Sequence, residues 1–595
     1  MNPDTNPDTN PETGARTLTG LFAATVARHG SRPAVRDARR ALTYARLDAL
    51  SSDLAGRLAA AGVRPGDHVA LLLDRGAPTF VALLGVLKAG AAYVAVESRY
   101  PRARKEMMLR NSGARLALVE PGGPDATAGG LAAFPLDLDE LRDDAPAAAP
   151  AAPGPGDAAC VLFTSGSTGT PKAAVLEHRN LVFFAANPSL PRLTPEDRVG
   201  HVSSVSFDAF HYETWCAFAA GAEVVTLGTM PELIGGDVQR ELRRTRVTAM
   251  LVPSMALNHI VREDRNAFAG LRVLCTGGDV IFPATCRDLL AGDFAGDLYN
   301  LYGPTEATTA CAAHHVTHVP ADAVSVPIGR PLAGAEILLL DEDLAEVPAG
   351  RPGQIYIGGP GLARGYQGGP ELSARRFVTV GGRRFYASGD LARRDGSGLL
   401  DFHGRADNQV KIRGYRVEPE EVERVLARHP EVRDAVVIAT GGGQDRRLAA
   451  FVEPHRQLPP RNLREYAAGE LPEFMVPASF IQLDRIPVND HGKRDLGRLA
   501  ELLDDQTRRE DAWVSPRDEV ERYLAGLWEE LLSVERIGAA DDFFARGGNS
   551  LLAFRMQQRI KRELEVPLGA RDVLTHSELN RLADLIRTRG GVVHA

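Results

Sequence analysis

An apolar run, Ala158–Leu162, leads into Phe163-Thr164-Ser165-Gly166-Ser167-Thr168-Gly169-Thr170-Pro171-Lys172, a loop of hydroxyls and glycines closed by a lysine. Small residues let backbone N–H groups approach an anion, hydroxyls add donors and the ammonium adds charge, a combination that suits a polyphosphate better than a plain flexible linker. It is not a Walker loop: Pro171 stands where Gly would precede the lysine, and Ala173 replaces the Ser or Thr that would hold magnesium. A metal ligand must come from elsewhere. Further along, Tyr302-Gly303-Pro304-Thr305-Glu306 is a Pro-initiated turn carrying one carboxylate, and Ser388-Gly389-Asp390 offers another that can accept two hydroxyl hydrogen bonds. Near the end, Gly547-Gly548-Asn549-Ser550 sets a serine in front of an amphipathic helical pattern through Phe554 and Ile560, an N-cap position that also exposes a hydroxyl. Its resemblance to a nucleophile elbow fails at Leu552, where the second Gly would stand. Of 69 basic residues only six are Lys, and one of them is Lys172 of the Ser/Thr/Gly loop, where a compact, mobile ammonium is not readily replaced by a planar guanidinium.

Elements must position these groups. The segment from Thr43 places Tyr44, Leu47, Leu50, Leu54 and Leu58 at helical spacing up to Gly62, and the run His68–Leu73 follows as a strand. The same helix-then-strand rhythm recurs, with LRVLCTGGD ending in a Gly-rich turn, as alternating α/β layers require. The 595 residues imply three to five structural units, and 44% hydrophobic with 25% charged residues exclude a disordered chain. A net charge of −8 gives no general attraction to nucleic acid or anionic membrane. Five scattered cysteines form no metal-spaced set, and no apolar run reaches spanning length, so a soluble cytoplasmic protein is expected. The Asn/Pro-rich residues 1–16 read as a disordered tail, 504–514 as a charged linker and 515–590 as a helical unit, with Val520, Leu524, Leu527, Trp528 and Leu531 on one helix face.

Eight motifs in order, LTYARLD, LKAGAAYVAVE, FTSGSTGTPKAAV, NLYGPTEATT, GQIYIGGPGLARGY, YASGDLARR, GRADNQVKIRGYRVEPEEVE and PVNDHGKRD, make residues from about 18 to 500 resemble the adenylation domain of nonribosomal peptide synthetases, within the adenylate-forming superfamily. The closing DDFFARGGNSLLAF is similar to the phosphopantetheine attachment motif of a peptidyl carrier protein. The resemblance implies an α/β multidomain fold: a large N-terminal α/β domain (17–404), a small α+β domain (405–503) and an all-α four-helix carrier. It implies ATP with Mg2+, and 4′-phosphopantetheine on Ser550. Thr164, Ser165, Gly166, Ser167, Thr168, Gly169 and Lys172 would close over the departing pyrophosphate, with Thr305 on phosphate and Glu306 as the magnesium ligand. Asn300, Tyr302 and Phe402 would face the adenine, and Asp390 and Arg405 the ribose. Lys493 would bridge the substrate carboxylate and phosphate, Asp407 would be the hinge of the small domain, and Lys411 would approach in the second half-reaction. His491 departs from the family's Asn, and Asn549 from its Asp or His.

The same resemblance sets Asp208 against the α-ammonium of an amino acid and lines the pocket with Ala209, Tyr212, Met250, Cys275, Gly277, Leu301, Thr309 and Ala310. Between Asp208 and Lys493 this lining is uncharged, so a neutral, mainly apolar α-amino acid of medium size is expected, nonproteinogenic ones included. The chain reads as a freestanding adenylation–carrier didomain that loads its own carrier. Its implied partners are a phosphopantetheinyl transferase, an MbtH-like activator, and a downstream tailoring or condensation enzyme. The rival readings are an acyl- or aryl-CoA ligase, opposed by Asp208 and Ser550, and a noncatalytic scaffold, opposed by Lys493, Glu306, Asp390 and Arg405.

Overall fold

The computed structural model describes residues 15–123, 130–143, 152–166, 171–412, 414–441, 446–456, 458–487, 494–509, 514–532, 534–548 and 550–591. Two compact units emerge: Met1–Thr164 with Pro171–Met230 and Val238–Asn408, and Ser165–Thr170 with Pro231–Asp237 and Gln409–Ala595.

Parallel strands buried on both faces need near-continuous apolar runs, and the first unit is built from them. Every residue of His68–Leu72, Ala92–Ala95 and Val273–Gly277 is buried. A nine-stranded sheet runs in the order Arg330–Pro331, Ala312–His315, Asp297–Tyr302, Val273–Gly277, Ala249–Pro253, Arg198–His201, Glu223–Thr226, Pro33–Arg36, Ala41–Thr43. Its six strands from Asp297–Tyr302 to Pro33–Arg36 are mutually parallel. A seven-stranded sheet includes Ala158–Thr164 and Lys172–Glu177, an antiparallel pair that sets Thr164 opposite Lys172. A third, antiparallel sheet carries the hairpin of Arg383–Arg394 with Leu400–Arg405. The helix expected from Thr43 is Tyr44–Ala60, capped by the Thr43 hydroxyl, with Leu47, Leu50, Leu54 and Leu58 buried as their spacing requires.

The second unit contains two differently textured parts. Residues 410–503 form an α+β layer: the sheet of Val432–Thr440, Arg447–Pro454 and Ser479–Gln482 is covered by the helices Pro419–Leu426 and Pro460–Glu470. The described residues beyond 514 form four helices, Glu519–Leu532, Ser550–Leu564, Ala570–Thr575 and Leu579–Thr588, around a core of their own that includes Leu524, Trp528, Met556, Ile560 and Leu582.

Two boundaries differ from the sequence expectation. Arg405 closes the hairpin opposite Asp390 and so belongs to the first unit, which ends at Asn408. Of the stretch read as a linker over 504–514, residues 504–509 are instead the end of a helix, Leu496–Arg509, in which Leu499, Leu502 and Leu503 at i, i+3, i+4 give an apolar stripe packed with Val436, Phe451 and Ile481, and residues 510–513 lie outside the described residues.

The separate core of the four-helix part generates a stability prediction. Trp528 is fully buried, edge-on to Phe543 at 5.1 Å, and its indole N–H donates to the Met556 sulfur at 2.9 Å. Trp528→Ala is expected to cost about 3–5 kcal/mol, enough to unfold a helical unit of this size. Calorimetry should show the loss of one transition while the transition of the first unit persists.

Candidate functional site

In open α/β sheets, side chains that meet ligands gather beyond the carboxyl ends of the parallel strands. Here four such strands end at His201, Pro253, Gly277 and Tyr302, and the segments after them carry the expected residues. The turn following Tyr302 ties three carboxylates to three hydroxyls. The Tyr302 hydroxyl donates to Asp390 Oδ2 at 2.6 Å, the Thr305 hydroxyl donates to Asp208 Oδ2 at 2.6 Å, and Glu306 Oε1 accepts from the Tyr366 hydroxyl at 2.6 Å. Asp390 also accepts from Arg405, whose guanidinium continues onto both oxygens of Asp407 at 2.7 and 3.0 Å. Glu306 and Asp390 are buried, and uncompensated carboxylates there would cost several kcal/mol each.

Backbone geometry keeps this turn compact. A Cβ on Gly303 would lie 2.6 Å from the Ala310 Cα, so only glycine fits. Thr308 and Thr309 both lie in the left-handed region, at φ of 58° and 68°, unusual for β-branched residues and costing of order 1–3 kcal/mol each. Their hydroxyls show what holds them: Thr308 donates to the Gly361 carbonyl at 2.7 Å and Thr309 to the Asp208 carbonyl at 2.8 Å. Because the Thr309 proton is committed, His211 Nδ1, 3.2 Å away, must be the donor to its oxygen. Burial pushes the His211 imidazole down to about 3, so the ring is neutral, and its Nε2 has no protein partner. Burial pushes the Asp208 carboxyl up to about 6, with the nearby Glu306 charge adding to the rise against the opposing Thr305 hydrogen bond.

The expected pocket residues fall on neighbouring elements. Met250, Cys275 with Gly277, and Leu301 sit on adjacent parallel strands, with Gly277 opposite Leu301. Gly277 does more than open space: a Cβ there would lie 2.5 Å from the Leu301 carbonyl oxygen. Tyr212 is buried beside Cys275, whose thiol is pushed up to about 12 by burial and is therefore neutral. Tyr212 opens a turn of π-helix, Tyr212–Cys216, a widened turn that re-aims side chains. Ala310 is fully buried and Ala209 packs at the core margin. Asn300 is buried and donates to the Pro327 carbonyl at 2.9 Å, while Phe402 packs against the large core.

In the loop read as phosphate-binding, the Thr164 and Ser165 hydroxyls are buried with no hydrogen-bond partner, the condition of donors awaiting a ligand. Lys172 is also buried. In the second unit, Gly166 N–H donates to Glu421 Oε2 at 2.9 Å, so a loop donor expected to meet phosphate takes an anionic oxygen here. Lys411 lies on the short strand Val410–Ile412, and Ser550 is the first residue of its helix, after a turn in which a Gly548 Cβ would lie 2.3 Å from the Phe543 ring. Ser167, Thr168, Gly169 and Lys493 lie outside the described residues.

The residues that support the site are not singled out by the sequence. Tyr366, which holds Glu306, ends the quoted GQIYIGGPGLARGY motif, and His211 sits inside the segment Phe207–Glu213. Glu213, fully buried, accepts from His201 Nδ1 at 2.6 Å and from the Ser203 hydroxyl at 2.8 Å. Nothing in the sequence around His201 marks it.

Residues 22–367 match the model of the AMP-binding enzymes, 421–493 that of the AMP-binding enzyme C-terminal domain, and 522–586 that of the phosphopantetheine attachment site. The chain belongs to the AMP-binding enzymes. Its organisation is that of nonribosomal peptide synthetase adenylation–carrier proteins. It is 37% identical over 96% of its length to phosphinothricin tripeptide synthetase PhsC of Streptomyces viridochromogenes, and 33% identical over 96% to gramicidin S synthase 2 of Brevibacillus brevis. It spans 53% of the first and 13% of the second. A solved structure of an NRPS protein containing adenylation and PCP domains, bound to a vinylsulfonamide inhibitor, superposes with a TM-score of 0.81 at 29% identity, covering 97% of each chain. All five cysteines are buried free thiols, and no described helix is long and apolar enough to cross a membrane.

The Thr309 hydroxyl generates a prediction that needs no substrate. Thr309→Val keeps the branched side chain and the strained backbone but leaves the His211 N–H and the Asp208 carbonyl without their partner. Denaturant unfolding should register a loss of about 1–3 kcal/mol.

Proposed function

We propose that this AMP-binding enzyme activates a neutral, mainly apolar α-amino acid of medium size with ATP, releasing pyrophosphate, and loads the aminoacyl group onto its own carrier part. The observation that carries the reading is Asp208. A carboxyl pushed up to about 6 by burial, its one oxygen pinned by Thr305, gains most from a cationic neighbour, and the α-ammonium of an amino acid supplies one. Met250, Cys275, Leu301 and Ala310, the side chains this reading sets around the substrate, are buried and uncharged, so an ionic side chain would find no partner.

Each half-reaction places negative charge on oxygen, and positioned donors answer it. The unpartnered Thr164 and Ser165 hydroxyls and the loop N–H groups bind the phosphates, and Lys172 adds charge. Lys493 draws the substrate carboxylate toward the α-phosphate. Asp390 and Arg405 meet the ribose, Asn300, Tyr302 and Phe402 surround the base, and Asp407 serves as the hinge that exchanges Lys493 for Lys411. Among the described residues no cluster of three or more metal-ligating side chains exists, and magnesium is ordinarily held by one or two carboxylates plus substrate phosphates. Glu306 fits that donor set, and Mg2+ there would neutralise phosphate charge. Ser550, at its helix start, fits the attachment point of 4′-phosphopantetheine, which supplies the thiol that takes the aminoacyl group. A phosphopantetheinyl transferase, an MbtH-like activator and a downstream tailoring or condensation enzyme are the partners this reading requires or accommodates.

A panel of amino acids should give ATP–pyrophosphate exchange with a neutral apolar member, and Lys493→Ala should lower it by ~10²–10³. A folded protein giving no exchange with any amino acid would overturn the reading. Protonating Asp208 removes the anion that meets the ammonium, so binding is strongest above about pH 6 and weakens as pH falls through it. Exchange kinetics should show KM for the amino acid rising about tenfold per unit below that point, with KM for ATP moving less.

A further inference from the structure

Arg464, on the helix Pro460–Glu470, is only 8% exposed, an unusual place for a guanidinium. Part of its donor fork is satisfied at home: Nη2 donates to the Ala478 carbonyl at 2.8 Å and Nη1 reaches the Pro477 carbonyl at 3.5 Å. The rest of its environment comes from the four-helix part of the same unit. Nη2 lies 3.4 Å from Asp542 Oδ2, and the guanidinium stands 5.4 Å from the centre of the Phe544 ring and 5.6 Å from that of Phe480. The cation thus has an aromatic ring of its own layer, one of the carrier's, and a carboxylate of the carrier around it. A buried guanidinium pays for lost hydration unless such partners are present, and cation–π contacts strengthen as water leaves. Without the four-helix part, Arg464 would keep its two carbonyls and lose both its counter-charge and one ring.

A second arginine supports the same loop. Arg447 Nη1 reaches the Phe544 carbonyl at 3.5 Å and lies 3.7 Å from where a Gly547 Cβ would be, three residues before Ser550. Ala478 packs against the carrier's own core. The Asp542 carboxylate is not free to wander, since its Oδ1 accepts from the N–H groups of Phe544 and Ala545 at 2.9 and 3.0 Å, and its Oδ2 from the Ser577 hydroxyl. A preorganised acceptor therefore faces a preorganised donor.

We propose that Arg464, assisted by Arg447, is the positioning residue by which the 410–503 layer docks its own carrier, reading Asp542 and Phe544 to set the orientation of the loop that delivers Ser550. Neither arginine touches the reacting atoms. The surface selects a carrier loop that presents a carboxylate two residues before an aromatic ring, the arrangement Asp542-Phe543-Phe544 provides.

The inference rests on the proposed loading of Ser550, and its test separates the two. The 595-residue chain is converted to the holo form with a phosphopantetheinyl transferase and CoA, checked by a mass gain that Ser550→Ala lacks, and three rates are read: exchange, modification and single-turnover loading of the attached carrier. Arg464→Ala should leave exchange and modification within about twofold and slow loading by ~10-fold or more, and Arg447→Ala should slow loading by a few-fold. Phe544→Leu, which keeps an apolar side chain in the carrier core, should also slow loading. The double variant Arg464→Ala/Phe544→Leu should be no slower than the slower single, because both remove one contact. Loading at the wild-type rate in Arg464→Ala, or additive losses in the double variant, would overturn docking. Should Arg464→Ala fail to fold, the Arg447→Ala and Phe544→Leu loading rates decide alone, with wild-type loading in both counting against the proposal. Absence of exchange or of the mass gain in the unaltered protein would instead overturn the functional reading.

Discussion

Burying negative charge is the constraint around which the first unit's site is arranged. Asp208, Glu306 and Asp390 come from three distant segments, and each is held by a hydroxyl: Thr305, Tyr366 and Tyr302. Two of those donors and one of the carboxylates lie within five consecutive residues, Tyr302–Glu306. A hydroxyl donor keeps a carboxylate tolerable in a poorly hydrated place without neutralising it, so the charge stays available to a cation. Replacing these hydroxyls with arginines would satisfy the carboxylates more fully and leave them less to offer. Asp390 shows the contrast, being shared between Tyr302 and an Arg405 that also engages Asp407.

Holding that turn in place demands local strain. Thr308 and Thr309 occupy left-handed backbone conformations that branched side chains avoid, and a Gly303 side chain would collide with Ala310. The hydroxyls of both threonines are bonded to carbonyls elsewhere, which is how a conformation costing of order 1–3 kcal/mol per residue survives. The neutral His211 ring donates to Thr309, and the buried Glu213, five residues after Asp208, takes hydrogen bonds from His201 and Ser203.

In the second unit the electrostatics run the other way. There a buried cation, Arg464, is completed by a carboxylate and a ring from the carrier part, and the planar guanidinium suits the task because it can donate at its edge while stacking on its face. The scarcity of lysine sharpens the division of labour: Lys172 and Lys411 sit in motif segments, while ion pairs across the described surface are almost all made by arginine.

Much of this was legible in the residues. Apolar runs such as His68–Leu72 and the leucine spacing in Tyr44–Ala60 announce buried strands and an amphipathic helix because period and burial are local properties. The Ser/Thr/Gly loop, YGPTE, and Gly547-Gly548 before Ser550 carry their chemistry in short contiguous strings, and their order along the chain determined the family. Leu499, Leu502 and Leu503 were equally local, yet the charges around them made a helix end resemble a linker. What no string could announce is which distant side chain meets which. That Tyr366 holds Glu306, that Gly277 is required by the Leu301 carbonyl, that His211 is a neutral donor to Thr309, and that Arg464 finds its partners in Asp542 and Phe544 are decided by close approach across tens to hundreds of residues. Composition and periodicity specify which surfaces must be buried; only the tertiary fold specifies the pairings by which buried polar groups are satisfied.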